Sequence, residues 1–154
     1  MPDLRELYQQ LILDHGKSPR NLRKIEEISH EASGFNPVCG DKVRLYLLCR
    51  DDVVVDASFE GSGCAISTAS ASMLTQSVIG KGLDEIRDLR RRVGEMLTAS
   101  PGEYEGIDAM GKLAAFSGVC EFPNRVKCAT LAWHTLDAAL GGREKSVSTE
   151  QENV

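Results

Sequence analysis

The stretch Val43-Arg44-Leu45-Tyr46-Leu47-Leu48-Cys49-Arg50-Asp51-Asp52-Val53-Val54-Val55-Asp56-Ala57-Ser58-Phe59 decides the fold class. Val43, Leu45, Leu47 and Cys49 alternate along one run, and Val53, Val55, Ala57 and Phe59 alternate along a second. Successive strand side chains point to opposite faces, so each run places its apolar members on one side. With the polar Arg50-Asp51-Asp52 between them, the two runs predict a hairpin with one buried face.

Downstream of Gly61-Ser62-Gly63 the pattern changes to a segment rich in Ala and Ser, Cys64 to Gly80, which predicts a helix able to lie close against the sheet. Leu83, Ile86, Leu89, Val93 and Met96 form the apolar stripe of a second helix. Ala99 to Gly106 predicts a loop, and Asp108 to Phe116 a short helix. Val126, Ala129, Trp133, Leu136 and Leu140 mark a last helix that Gly141-Gly142 closes. Upstream, a short strand is expected near residues 29–35. Leu4, Leu7, Tyr8, Leu11 and His15 recur at helical spacing behind an Asp3–Glu6 capping pair. Strands come early and helices late, without βαβ alternation. The expected class is α+β, a small antiparallel sheet of about three strands packed against helices. Residues 1–141 are expected to form a single domain and 142–154 a disordered polar tail.

The 154 residues are 42% apolar, 27% charged and 5% aromatic, with a net charge of −5. An acidic chain lacks the basic face that phosphate neutralisation needs, so nucleic acid is not an expected partner. No apolar run approaches the ~20 residues that span a bilayer, so no membrane association is expected either. The charged start, Met1-Pro2-Asp3-Leu4-Arg5-Glu6, has no secretory character, and a cytoplasmic protein is expected.

Five cysteines, Cys39, Cys49, Cys64, Cys120 and Cys128, leave an odd count, and no pair is spaced C-x-x-C. A disulfide framework is therefore not expected, and any metal or thiol site must be assembled from distant segments. In Cys39-Gly40-Asp41 a thiol and a carboxylate project to the same side of extended chain, or else the three form a bare turn. Cys64 lies where strand gives way to helix, a position that lowers thiol pKa values; it could equally be a small buried residue. Gly61-x-Gly63 lacks the third glycine and the parallel units of a dinucleotide fold. Cys128, in the first turn of the last helix, falls roughly 120° from the centre of the Trp133 stripe, so the core face does not claim it. Arg125, three residues earlier, could steady an anionic sulfur there. Cys49 has core parity, and Cys120 could be buried or exposed. Three cysteines at element ends plus one carboxylate make a tetrahedral zinc set. A carboxylate is the harder, more exchangeable ligand, which suits a thiolate that leaves the metal to react; a purely structural zinc site is the alternative.

Several longer motifs carry a resemblance. Ile12-Leu13-Asp14-His15, Pro19-Arg20-Asn21, Asn36-Pro37-x-Cys39-Gly40-Asp41, Phe59-Glu60-Gly61-x-Gly63-Cys64-Ala65-Ile66-Ser67 and Arg125-Val126-Lys127-Cys128-Ala129-Thr130-Leu131-Ala132-Trp133-His134 closely resemble the SufU branch of the IscU/NifU N-terminal family. The resemblance runs from about residue 5 to residue 140. It implies an α+β fold with a three-stranded sheet and a metal site at one end, with ligands Cys39, Asp41, Cys64 and Cys128. It also implies iron–sulfur cluster assembly beside a pyridoxal-phosphate cysteine desulfurase, with downstream SUF assembly proteins as further partners. IscU-type members are scaffolds for a [2Fe–2S] cluster and carry His immediately before the third cysteine, where this chain has Lys127. SufU-type members have Lys there, together with an extra segment matching roughly Ser100 to Phe122. They act as zinc-dependent sulfur acceptors. Cys120, and Leu22 where a glycine is common, depart from the pattern.

On this resemblance Cys39, in a loop beside glycine, is the expected acceptor thiolate, a sulfurtransferase-like role. Cys64, Cys128 and Asp41 keep Zn2+, and Arg125 steadies the charged sulfur. The alternatives are a scaffold holding a transient [2Fe–2S] cluster on the same ligands and a structural-zinc adaptor that regulates the desulfurase. His15 is read as packing or capping, His134 as no ligand, Arg87, Arg90, Arg91 and Arg92 as a solvated face, and the methionines as filler.

Overall fold

The alternating stretch folds as two antiparallel strands, β2 (Asp41–Arg50) and β3 (Val53–Ser62). Asp51 and Asp52 form the two-residue turn with φ of 53° and 62°, the left-handed pair whose twist matches a tight hairpin. β1 (His30–Asn36) pairs antiparallel with the other edge of β2. The computed structural model describes residues 4–100, 103–141 and 146–148.

The parity of the second run is not the one the alternation suggests. Leu48 faces Asp56 while Cys49 faces Val54, so Val55 is an extra residue on β3, a bulge. Val54 is buried and Val55 is 42% exposed, which corrects the predicted inward set. The sheet also buries more than one face. Leu45 and Leu47 point into the core, and Tyr46 and Ser58 are buried on the opposite side. There the Tyr46 hydroxyl donates to Glu60 Oε1 at 2.5 Å, and Lys24 Nζ, from the segment before β1, lies 5.6 Å from the ring centroid.

The predicted disordered tail contains a strand. Ser146–Ser148 forms β4, parallel to β1, giving the order β3-β2-β1-β4; the rest of that tail lies outside the described residues. Three antiparallel strands are thus extended by one short parallel edge.

α1 spans Leu4–Lys17, with Asp3 of the predicted capping pair outside the described residues. α2 (Ala65–Val78) does more than lie on the sheet: it packs between α1 and α4 (Pro123–Gly141) as well as against β3. Its small residues allow this, and Ser70 Oγ donates to the Ala129 carbonyl of α4 at 2.6 Å. α3 (Leu83–Thr98) buries Ile86, Val93, Met96 and Leu97. In place of the predicted short helix stand two 3₁₀ helices, a single turn over Ile107–Ala109 and a longer one over Gly111–Glu121.

α4 crosses β1 where Gly34 removes a side chain: a Cβ there would stand 2.1 Å from Thr135 Oγ1. The arginines of α3 are ion-paired, Arg87 with Asp84, Arg91 with Asp88 and Glu95, and Arg92 with Asp88. Arg90 reaches Asp137 of α4 at 2.9 Å. These contacts sit at the surface, where each pair contributes little to stability.

Candidate metal centre

Asn36 closes β1 and Asp41 opens β2, and the two face each other across the ladder. Residues 37–40 make the connecting turn. Gly40 takes φ 72°, a left-handed conformation that glycine adopts freely, and nothing lies within 4 Å of a Cβ built on it. Its contribution is backbone conformation. The turn leaves Cys39 exposed at its tip while Asp41 is fully buried.

A buried carboxylate must be hydrogen-bonded, and this one is. Asp41 Oδ1 accepts the Cys64 N–H at 2.8 Å, and Oδ2 accepts Asn36 Nδ2 at 3.1 Å. Gly63 makes the first contact possible, because a Cβ there would lie 2.4 Å from Asp41 Oδ1. Cys64 is the N-cap of α2, its Sγ accepting the Ser67 N–H at 3.4 Å and lying 3.9 Å from Asp41 Oδ2.

Cys128 reaches the same point from α4. That helix begins at Pro123, so Cys128 lies in its second turn rather than the first, and it is 3% exposed. Its Sγ stands 3.4 Å from Cys39 Sγ and 3.6 Å from Asn36 Nδ2. Burial pushes the Cys128 thiol well up, and its own hydrogen bonding to Cys39, Cys64 and Asp41 adds to the shift. A nearby cation inverts that preference and favours the thiolate.

The donor atoms of Cys39, Asp41 and Cys128 lie within 4.8 Å of one another and could hold a metal ion. Cys64, the fourth predicted ligand, stands at the margin of this group through its contact with Asp41. Two thiols, a third close by, and a carboxylate whose charge is buried form a donor set that fits zinc. Arg125 is not brought into the group. Its guanidinium lies over the Phe122 ring, 4.6 Å from the centroid. Cys49, half-buried in β2, has its thiol pushed up by burial, and Cys120 donates to the Ser117 carbonyl at 3.2 Å.

The sequence pattern of the NifU-like N-terminal domain matches residues 7–140. The chain belongs to this family. A similar relative, the zinc-dependent sulfurtransferase SufU of Bacillus subtilis, is 40% identical over 92% of this chain and 95% of its own. The iron–sulfur cluster assembly scaffold protein IscU of Streptococcus pyogenes is 36% identical over 98% of this chain and 93% of its own. Among solved structures, a candidate iron–sulfur cluster assembly scaffold for the SUF system from Fervidobacterium islandicum superposes with a TM-score of 0.79. It is 36% identical and covers 90% of this chain and 99% of that one. The NifU-like α+β architecture expected from the motifs is therefore the one observed.

Within this NifU-like frame, Asn36 is the site residue that sequence reasoning passed over, quoting it only as part of a motif. Its signal was a polar residue at an inward-facing strand position next to Pro37. His15, read as packing or capping, is buried and hydrogen-bonds through Nδ1 to Ser72 Oγ at 2.7 Å, joining α1 to α2.

Proposed function

We propose that this protein is a zinc-dependent sulfur acceptor in iron–sulfur cluster assembly, taking persulfide sulfur from a cysteine desulfurase onto Cys39. The observation that carries the reading is the asymmetry of the thiols: Cys39 is exposed on a turn, 3.4 Å from a buried partner, Cys128. The Bacillus relative's zinc-dependent sulfurtransferase role, at 40% identity over nearly the whole chain, supports it. Cys39, Asp41, Cys64 and Cys128 would hold zinc, which when bound supplies thiolates at neutral pH.

The Cys39 thiolate attacks the outer sulfur of the desulfurase persulfide. A new S–S bond forms at Cys39 as the donor S–S bond breaks, and the electron pair leaves on the desulfurase cysteine as thiolate. The proton of the persulfide travels with the transferred sulfur, and no net oxidation occurs. Cys39 can move without disturbing the core because its turn is exposed, whereas Cys128 and Asp41 are fixed by burial. The setting is the cytoplasm, the first partner is a SufS-type desulfurase, and downstream SUF assembly proteins take the sulfur onward.

A second reading, a scaffold building a [2Fe–2S] cluster on the same residues, is favoured by the Streptococcus relative. Anaerobic native mass spectrometry before and after incubation with a cysteine desulfurase, pyridoxal phosphate and cysteine separates the two. One zinc and one added sulfur mapping to Cys39 is the expected result. Iron and sulfide taken up two to two, once iron is supplied, would replace the proposal with the scaffold.

A further inference from the structure

Asn36 is fully buried, and three of its polar contacts lie around the centre. Its Oδ1 accepts the Val38 N–H at 3.2 Å, fixing the turn that carries Cys39. Because the carbonyl end is committed to that donor, the amide's two N–H groups must point the other way, where they meet Asp41 Oδ2 at 3.1 Å and Cys128 Sγ at 3.6 Å. The two groups come from different elements, the start of β2 and the second turn of α4.

An amide with both donors on potential ligands does what outer partners of metal sites do elsewhere: it orients them and offsets their charge before the ion arrives. Leucine, of similar size, would fill the space but leave a buried carboxylate oxygen and a buried sulfur without that donor. Cys39 is different. Its Sγ lies 3.4 Å from Cys128 Sγ, and Asn36 holds the backbone of its turn rather than its sulfur.

We propose that Asn36 is a positioning residue that clamps Asp41 and Cys128 into a fixed half of the metal centre, leaving Cys39 as the donor free to exchange. This rests on the reading of the group as a metal site but not on sulfur transfer.

The test uses the full-length chain, ¹⁵N-labelled, with and without one equivalent of zinc, beside Asn36→Leu. Both side-chain amide protons of Asn36, identified as the pair missing from the variant, should exchange slowly with solvent and shift when zinc is added. Asn36→Leu should bind zinc 10- to 100-fold more weakly by chelator competition, and its metal-free melting midpoint should fall because a buried carboxylate oxygen loses its donor. An Asn36 amide that exchanges like an exposed asparagine would overturn the clamp, as would wild-type zinc affinity in the folded variant. If Asn36→Leu fails to fold, the exchange measurement on the wild-type chain decides, with assignment through contacts to Val38. A wild-type chain that takes up no zinc would instead sink the metal-site reading itself, an outcome the apo-state amide exchange keeps separate.

Discussion

Cys39 and Cys128 hold their sulfurs 3.4 Å apart, although 89 residues separate them and one thiol is exposed while the other is buried. β1–β2 pairing delivers the first and α4 the second. A pair built this way has one member that can be replaced at little structural cost and one that cannot.

Replacing Cys39 with Ala should therefore abolish sulfur acceptance while changing unfolding free energy by no more than about 0.5 kcal/mol, the range typical of surface positions. Persulfide labelling after incubation with a desulfurase, paired with urea unfolding of the metal-free chain, checks both halves. Persistent labelling would remove Cys39 from the acceptor role.

Gly63→Ala should strike the site through Asp41. The added Cβ would lie 2.4 Å from Asp41 Oδ1, the oxygen that accepts the Cys64 N–H. Overpacking of this kind costs about 1–3 kcal/mol, and zinc affinity should fall with it because the carboxylate must turn away. Urea unfolding and chelator competition on the same preparation would show both losses together. Unchanged zinc affinity would mean that Asp41 does not depend on this contact.

Gly34→Ala tests the crossing of α4 over β1. Its Cβ would collide with Thr135 Oγ1, itself bonded to the Leu131 carbonyl at 2.8 Å. We expect a loss of about 1–3 kcal/mol, part of which Thr135→Ala in the same chain restores. A double-mutant cycle should yield a coupling of about 0.5–3 kcal/mol. Strict additivity would place the clash elsewhere.

His15 predicts an acid-side weakness. Burial lowers its pKa below the ordinary 6.5, and the Arg20 charge lowers it further. Between the folded and unfolded values the unfolded chain binds more protons. Stability is thus fully present above pH 6.5 and is lost as pH falls through the folded pKa. Urea midpoints at pH 7.5 and 5.5 should differ more for the wild-type chain than for His15→Gln. Equal losses in both would assign the acid sensitivity to other groups.

Much of the molecule was legible in its residues because local chemistry controls it. The alternation from Val43 to Phe59, the stripe of α3 and the stripe of α4 each follow from the period of one element, so hairpin and helices were expected where they occur. The inward set of β3 was not. A single unpaired residue, Val55, inverts the parity of what precedes it, and the spacing of apolar residues does not announce a bulge. Nor could one strand's alternation show that Tyr46 and Ser58 would be buried behind the sheet, since the cover comes from another segment.

The centre divides the same way. Residue type and position at element ends offered Cys39, Asp41, Cys64 and Cys128 as candidates beside plainer readings as a turn or as small buried residues, and the family resemblance joined them into one ligand set. Only the tertiary structure decided which of them share a point, how deeply each is buried, and that Arg125 turns to the Phe122 ring. Asn36 shows why. An asparagine is ordinary in sequence, and its bond to Cys128, 92 residues away, exists only once β1 and α4 have packed. The sequence by itself determined the elements and the chemistry available at their ends; the packing of α4 across Gly34 determined which of those ends meet.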